Sequence, residues 1–189
     1  FWNIFSKELL IDLDVADGSY NFARLDSILD FLLQYGLKPH IELGMKPVWF
    51  MRNVQTLFPE EDDTGYAETE KWERVLHAMM RHLVHRYGRS ELDTWRMEVW
   101  FHESMWEQEA AAEEYYTLFA ITYKTLKHYS DSLEVGGCGL RLDFRESWRT
   151  AFLEGWGTQE VKPDFLSICY FSYERGEIEK DRYAKRSTD

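Results

Sequence analysis

Trp95-Arg96-Met97-Glu98-Val99-Trp100-Phe101-His102-Glu103 is the stretch whose reading decides the fold. It reads as a β-strand that ends in aromatic and ionisable residues. On its N-terminal side lies a long apolar stripe, Trp72, Val75, Leu76, Met79, Met80, Leu83 and Val84, with the spacing of a buried helical face and a closing glycine, Gly88. On its C-terminal side a second helical pattern runs from about Ala110 to Tyr129, with Tyr115, Leu118, Phe119, Thr122 and Leu126 on the inward face. A strand between two amphipathic helices is the unit of a parallel α/β sheet.

The same unit recurs along the chain. Phe1 to Phe5 is a short aromatic and β-branched run. Leu25, Ile28, Leu29, Leu32 and Leu33 mark a helix that stops at Gly36, and Lys38-Pro39 leads into a strand, His40-Ile41-Glu42-Leu43-Gly44, ended by Pro47. An acidic loop covers Pro59 to Gly65. Leu133 to Gly137 reads as a strand, Trp148 to Gly155 as a short helix and Phe165 to Tyr170 as a further strand. Such alternation gives right-handed βαβ units and a parallel sheet, either closed or open. No Gly-x-Gly-x-x-Gly follows the first strand, so a dinucleotide site has no support. The fold class expected is α/β, of the (β/α)8 TIM-barrel type. Residues 1–189 would form a single partial barrel of about five βα units, because a full barrel takes about 250 residues.

Bulk composition narrows the function classes. The 189 residues carry a formal net charge of −12, with acidic clusters at Glu60-Glu61-Asp62-Asp63 and Glu113-Glu114. Nucleic acid attracts Lys and Arg, so no DNA or RNA contact is expected through this segment. Two cysteines, Cys138 and Cys169, are too few for a disulfide framework. No apolar run reaches the roughly 20 residues of a membrane span, and no signal peptide opens the chain, so a cytoplasmic location is expected. The start at Phe1 without Met is expected to mark a fragment of a longer protein. Aromatic residues reach 16%, with 8 Trp and 11 Tyr. Core packing is one use for them, and stacking on the apolar face of a sugar ring is another.

Barrel enzymes keep their chemistry at the C-terminal ends of strands. Those ends here hold Trp2, Glu42, Trp49, Trp100, Phe101, His102, Glu103, Cys138, Cys169 and Tyr170. Cleavage of a glycosidic bond with retention needs two carboxyl groups about 5–5.5 Å apart. Glu42 and Glu103 are the tempting pair; Glu98 sits early in its strand and is the weaker candidate. The plain alternatives are a hydrogen-bonded carboxylate in the barrel mouth for Glu42 and a solvated first-turn acid for Glu103. Trp72, Trp95 and Trp156 are assigned to the core, whereas Trp2, Trp49 and Trp100 stand near strand ends. His77, His82 and His85 share a helix but have no ligand pattern such as His-Glu-x-x-His, so they are assigned to its polar outer face and no metal is expected. Cys138 and Cys169 are read as reduced thiols lining a pocket.

An ordered series of short motifs then resembles glycoside hydrolase family 39, the β-xylosidase and α-iduronidase family. Tyr20-Asn21-Phe22, Asp26, Phe31-Leu32 and Gly36-Leu37-Lys38-Pro39 lead into Ile41-Glu42-Leu43-Gly44 and Pro47. Glu98-Val99-Trp100 looks like the start of the family's Glu-Val-Trp-Asn-Glu-Pro motif. Glu114-Tyr115, Thr122, Val135-Gly136-Gly137 and Pro163-Asp164-Phe165-Leu166-Ser167 follow in order. The resemblance spans nearly the whole chain and implies a TIM barrel without a cofactor.

The match fails at the positions the resemblance would make functional. The family's Asn and acid/base Glu fall on Phe101 and His102. Its His after the second strand falls on Trp2, its His beyond the Asp-Phe-x-Ser serine on Cys169, and the following Tyr on Phe171. The nucleophile strand is expected beyond Asp189. A carboxylic acid is needed to protonate a leaving oxygen. His102 replaces it, or Glu103 would serve if a one-residue bulge shifted the strand end. The resemblance extends to family-39-like barrels inside bacterial AraC-type transcription regulators, which contact DNA through a separate helix-turn-helix region. The first expectation is therefore a non-catalytic barrel that senses a carbohydrate through Trp2, Glu42, Trp49, Trp100 to Glu103, Cys169 and Tyr170. The alternatives are an active retaining glycosidase and a ligand-free scaffold for a homodimer.

Overall fold

The computed structural model describes residues 20–43, 69–100, 109–142, 145–169, 173–175 and 183–185. The chain forms α1 (Ala23–Gln34), β1 (His40–Glu42), α2 (Thr69–Tyr87), α3 (Arg89–Leu92), β2 (Arg96–Trp100), α4 (Glu109–Tyr129), β3 (Glu134–Arg141), α5 (Glu146–Thr158) and β4 (Leu166–Cys169). A separate antiparallel pair, β5 (Tyr173–Arg175) and β6 (Tyr183–Lys185), follows. Strands β1 to β4 are parallel neighbours in chain order, β1-β2-β3-β4. Sequential parallel strands joined by helices are the arrangement of a (β/α)8 barrel wall. The run Phe1 to Phe5 and the acidic loop lie outside the described residues.

The helices form where the apolar stripes predict them. Leu25 and Leu29 of α1 are fully buried, as are Leu76, Met79, Met80 and Leu83 of α2. Gly36 and Gly88 take positive φ (70° and 82°) and close these helices as expected. At Gly36 the closure is a Schellman motif: Leu37 N–H reaches Leu32 O at 3.0 Å and Gly36 N–H reaches Leu33 O at 2.9 Å. One helix and one strand differ from the sequence reading in length. Helix α5 starts two residues earlier and ends three later than expected, and β3 runs on through Cys138, Gly139 and Leu140 to Arg141.

One face of the sheet carries Ile41, Met97, Val99 and Val135, each almost wholly buried among the core residues of the helices. The core at its centre is aromatic. Phe119 meets Tyr115, Tyr123 and Trp156, and Trp148 stacks on Phe152 at 4.9 Å between centroids. Trp72, Trp95 and Trp156 sit in this core as assigned. The Trp72 indole N–H donates to Thr122 Oγ1 at 2.8 Å, which satisfies a polar group inside apolar packing. Tyr115 donates its hydroxyl to Val99 O at 2.9 Å and so ties α4 to β2.

Of the three histidines of α2, His85 is exposed as assigned, but His77 and His82 do not lie on a free outer face. His77 Nδ1 pairs with the Tyr129 hydroxyl at 2.8 Å, and His82 Nε2 pairs with Asp26 Oδ1 at 2.7 Å while its ring stacks on Phe22. Hydrogen-bonded contacts between helices occupy ring nitrogens that the sequence pattern alone assigned to solvent.

Asp164 fixes the Pro163-Asp164-Phe165 turn. Its carboxylate accepts from Val135 N–H at 2.8 Å, from the Tyr123 hydroxyl at 3.0 Å and from Lys127 Nζ at 2.7 Å. Its own N–H donates to Val135 O. The turn before β4 is thus stapled to the start of β3 and to α4. Burial opposes ionisation of this carboxyl, but Lys127, the Val135 N–H and Tyr123 together hold it below the ordinary carboxylate range. A lowered pKa contributes stability that is complete above the ordinary value of about 3.9 and is lost as pH falls through the lowered one. Asp164→Asn is therefore expected to cost about 1–3 kcal/mol at neutral pH. The gap to wild type should narrow below about pH 4, read as urea midpoints across pH. A gap that stays constant into acid would remove Asp164 as the cause.

Candidate functional site

The second face of the sheet is polar, and strand register builds it. β1 and β2 pair His40 with Arg96 and Glu42 with Glu98; β2 and β3 pair Glu98 with Gly136 and Trp100 with Cys138. Residues in register on parallel strands share a face, so His40, Glu42, Glu98 and Trp100 stand on the side opposite Ile41, Met97 and Val99. Glu42 and Glu98 are both buried there, on strands about 4.8 Å apart. The sequence reading paired Glu42 with Glu103, but the carboxylate that register sets beside it is Glu98.

Glu98 is committed to the scaffold. It is 6% exposed, and its Oε2 lies 3.0 Å from His40 Nε2. Its Oε1 accepts the hydroxyl hydrogen of Ser167 on β4. Ser167 Oγ in turn accepts the Gly139 N–H at 2.7 Å. One buried carboxylate and one hydroxyl thus connect all four parallel strands. A group held in this way orders the sheet; Glu103, which the sequence reading ranked above it as an acid/base, lies outside the described residues.

The strand tip is set by a glycine. Gly139 adopts φ +65°, where an L side chain is strained. A Cβ there would lie 2.5 Å from Cε3 of the Trp100 ring. The indole therefore rests directly on the β3 backbone, partly exposed at the C-terminal end of β2. An aromatic ring with one face on backbone and part of its surface open is suited to stack on a sugar.

Cys138 is fully buried, and burial pushes its thiol well above the ordinary range, with the nearby Glu98 carboxylate adding to the effect. A thiol in that state is inert as a nucleophile. Cys169 is partly exposed at the end of β4 and pairs in register with Arg141; neither cysteine is in a disulfide. Of the expected ligand residues, Glu42, Trp100 and Cys169 are therefore placed on three strands of one sheet. Trp2, Trp49, Phe101, His102, Glu103 and Tyr170 lie outside the described residues. Ser167 and His40 were missed, because a lone serine in an Asp-Phe-x-Ser run and an exposed histidine at a strand start carry no signal until the strands are paired.

Parallel strands in chain order, with a polar face that carries an aromatic ring at its rim and helices on the other face, define an α/β barrel wall. Glycosyl hydrolases family 39 matches residues 7–184, and the chain belongs to that family. It is 32% identical over 155 residues to a β-xylosidase of Geobacillus stearothermophilus, covering 78% of this chain and 30% of that protein. Among solved structures it is similar to a monomeric β-xylosidase from Caulobacter crescentus, with TM-score 0.64, 29% identity and coverage of 92% of this chain and 35% of that one. It is also similar to a GH39 enzyme from Xanthomonas axonopodis pv. citri, with TM-score 0.65, 27% identity and coverage of 90% and 34%. The chain spans about a third of the length of these relatives. Among the described residues no helix is long and apolar enough to cross a membrane.

Proposed function

We propose that this chain is part of a retaining glycoside hydrolase of β-xylosidase type that binds its sugar at the polar strand ends around Glu42 and Trp100. The observation that carries the proposal is the 32% identity to a β-xylosidase over 78% of the chain. The buried polar face, with a partly open indole at its rim, supports it. These relatives favour hydrolysis over the non-catalytic expectation that the strand tip raised. Glu103 is the acid/base in this reading, and the sugar stacks on Trp100, with orientation set by a few polar groups.

A second reading keeps one specific observation in its favour. Phe101 and His102 follow Trp100 where the motif resemblance calls for Asn and Glu. Without a carboxylic acid there, proton donation to the leaving oxygen is lost while sugar stacking survives. The domain would then serve as the carbohydrate sensor of a cytoplasmic AraC-type regulator that touches DNA through another region.

The full-length protein separates these. Turnover of p-nitrophenyl β-D-xyloside that Glu103→Gln removes is the expected outcome of the hydrolase reading. No turnover, with a thermal shift on adding xylose or xylobiose, overturns hydrolysis and leaves the sensor; at 100 times the dissociation constant the added stability is about 2.7 kcal/mol. Neither turnover nor shift overturns both, and leaves a scaffold for dimerisation.

A further inference from the structure

We propose that Ser167 is a positioning residue that holds Trp100 in place for the sugar, acting through the β3 backbone and never touching the ligand. The inference rests on Trp100 belonging to the binding site, as argued above, and adds the residue that sets its pose. Ser167 Oγ stands at a junction of three strands. It lies on β4, it donates to the Glu98 carboxylate on β2, and it accepts the N–H of Gly139 on β3 at 2.7 Å. Gly139 is the residue on which the Trp100 ring rests.

The regular β3–β4 register breaks between Gly137 and Leu140, so ladder pairing does not settle the backbone at Gly139. Gly139 is also held at φ +65°, a conformation with little local preference for a glycine, which visits both signs of φ. The Ser167 hydroxyl supplies a hydrogen bond to the Gly139 N–H just where the ladder is irregular. Glu98 orients that hydroxyl: with its carboxylate accepting the hydroxyl hydrogen, a lone pair of Oγ is left to face Gly139 N–H. His40 Nε2, 3.0 Å from the other carboxylate oxygen, holds Glu98 from β1. The chain of bonds His40–Glu98–Ser167–Gly139 therefore ends under the indole.

Removal of the hydroxyl leaves the Gly139 N–H and one Glu98 oxygen without this partner, and the backbone under Trp100 is freed to shift. The Trp100 plane, and with it the stacking surface, should move. Sugar affinity is expected to fall about tenfold, the size of effect of one lost hydrogen bond to a charged or buried group.

The test uses the full-length protein labelled with 5-fluorotryptophan, with the Trp100 signal assigned by Trp100→Phe. In Ser167→Ala the 19F resonance of Trp100 should shift or broaden while those of buried Trp72 and Trp156 stay in place. Ser167→Thr, which keeps the hydroxyl, should restore it. Glu98→Gln, similar in shape but uncharged, should move the same resonance by a smaller amount. Xylobiose titration should show about tenfold weaker binding in Ser167→Ala and recovery in Ser167→Thr. A Trp100 resonance unchanged in Ser167→Ala overturns the inference, as does one in which all core tryptophans move together. A Trp100 resonance that moves selectively in a protein that binds no sugar supports the hold on Trp100 and overturns the carbohydrate reading instead.

Discussion

Gly137→Ala is expected to lower stability by about 2–5 kcal/mol, a sum of overpacking and a lost buried hydrogen bond. A Cβ at this position would lie 2.5 Å from the carbonyl oxygen of Val99 on the paired strand, and closer still to the Tyr115 hydroxyl. Val99 O is backbone of a central strand and cannot yield without parting β2 from β3. Tyr115 is fully buried, boxed in by Phe119, Phe152 and Trp156 at 5.3 to 6.1 Å between centroids, so its hydroxyl has nowhere to go. The Tyr115–Val99 bond of 2.9 Å must stretch or break. Gly157 in α5 provides the control, because no atom stands within 4 Å of its Cβ position. Gly157→Ala should be neutral or stabilise by up to about 1 kcal/mol, the ordinary gain of alanine in a helix. Urea midpoints of the two variants check both halves. Equal stability of Gly137→Ala and wild type would show that the sheet and α4 have slack that their packing does not suggest.

Phe119→Ala is expected to cost about 3–5 kcal/mol, the usual range for emptying a buried aromatic site. Phe119 is fully buried at the join of α4 and α5, with its ring edge-on to Trp156 at 4.9 Å and stacked beside Tyr115 at 6.1 Å. These neighbours are large, held by their own contacts, and poorly able to collapse into the void. Tyr116 anchors α5 by a hydroxyl bond to Phe152 O at 2.7 Å, which keeps the helices apart at the spacing the ring requires. Phe119→Leu should cost far less, about 1–1.5 kcal/mol, since it keeps most of the apolar volume. Thermal denaturation of the pair measures the difference. Similar losses for Ala and Leu would point to ring geometry, in place of filled volume, as the source of stability.

The wall of strands and helices could be read before any coordinates because each element carries its own period. Leu25 and Leu29, or Leu76, Met80 and Leu83, recur at helical spacing and are buried on schedule. The polar face could be read only in part. Glu42 and Trp100 were identifiable as strand-end residues, and register does place them on one face of the sheet. The bond between Glu98 and Ser167 was unseen, because it crosses 69 residues of chain. His77 and His82 were assigned to solvent for the same reason. Their partners Tyr129 and Asp26 lie 52 and 56 residues away, on other helices. The double glycine, Gly136-Gly137, was visible as a motif. Its purpose appears only when Phe165 is found crowding the first glycine and Tyr115 the second.

The amino-acid order by itself determined which segments are strands and which are helices, which face of each is apolar, and the family the chain resembles. Those properties depend on neighbours within a turn or two, and local spacing encodes them. Tertiary structure alone decided which polar groups meet: His40 with Glu98, Glu98 with Ser167, Ser167 with Gly139 beneath Trp100. Hydrogen bonds act only over about 3 Å, and no local pattern records which distant residues the paired strands will bring to that distance.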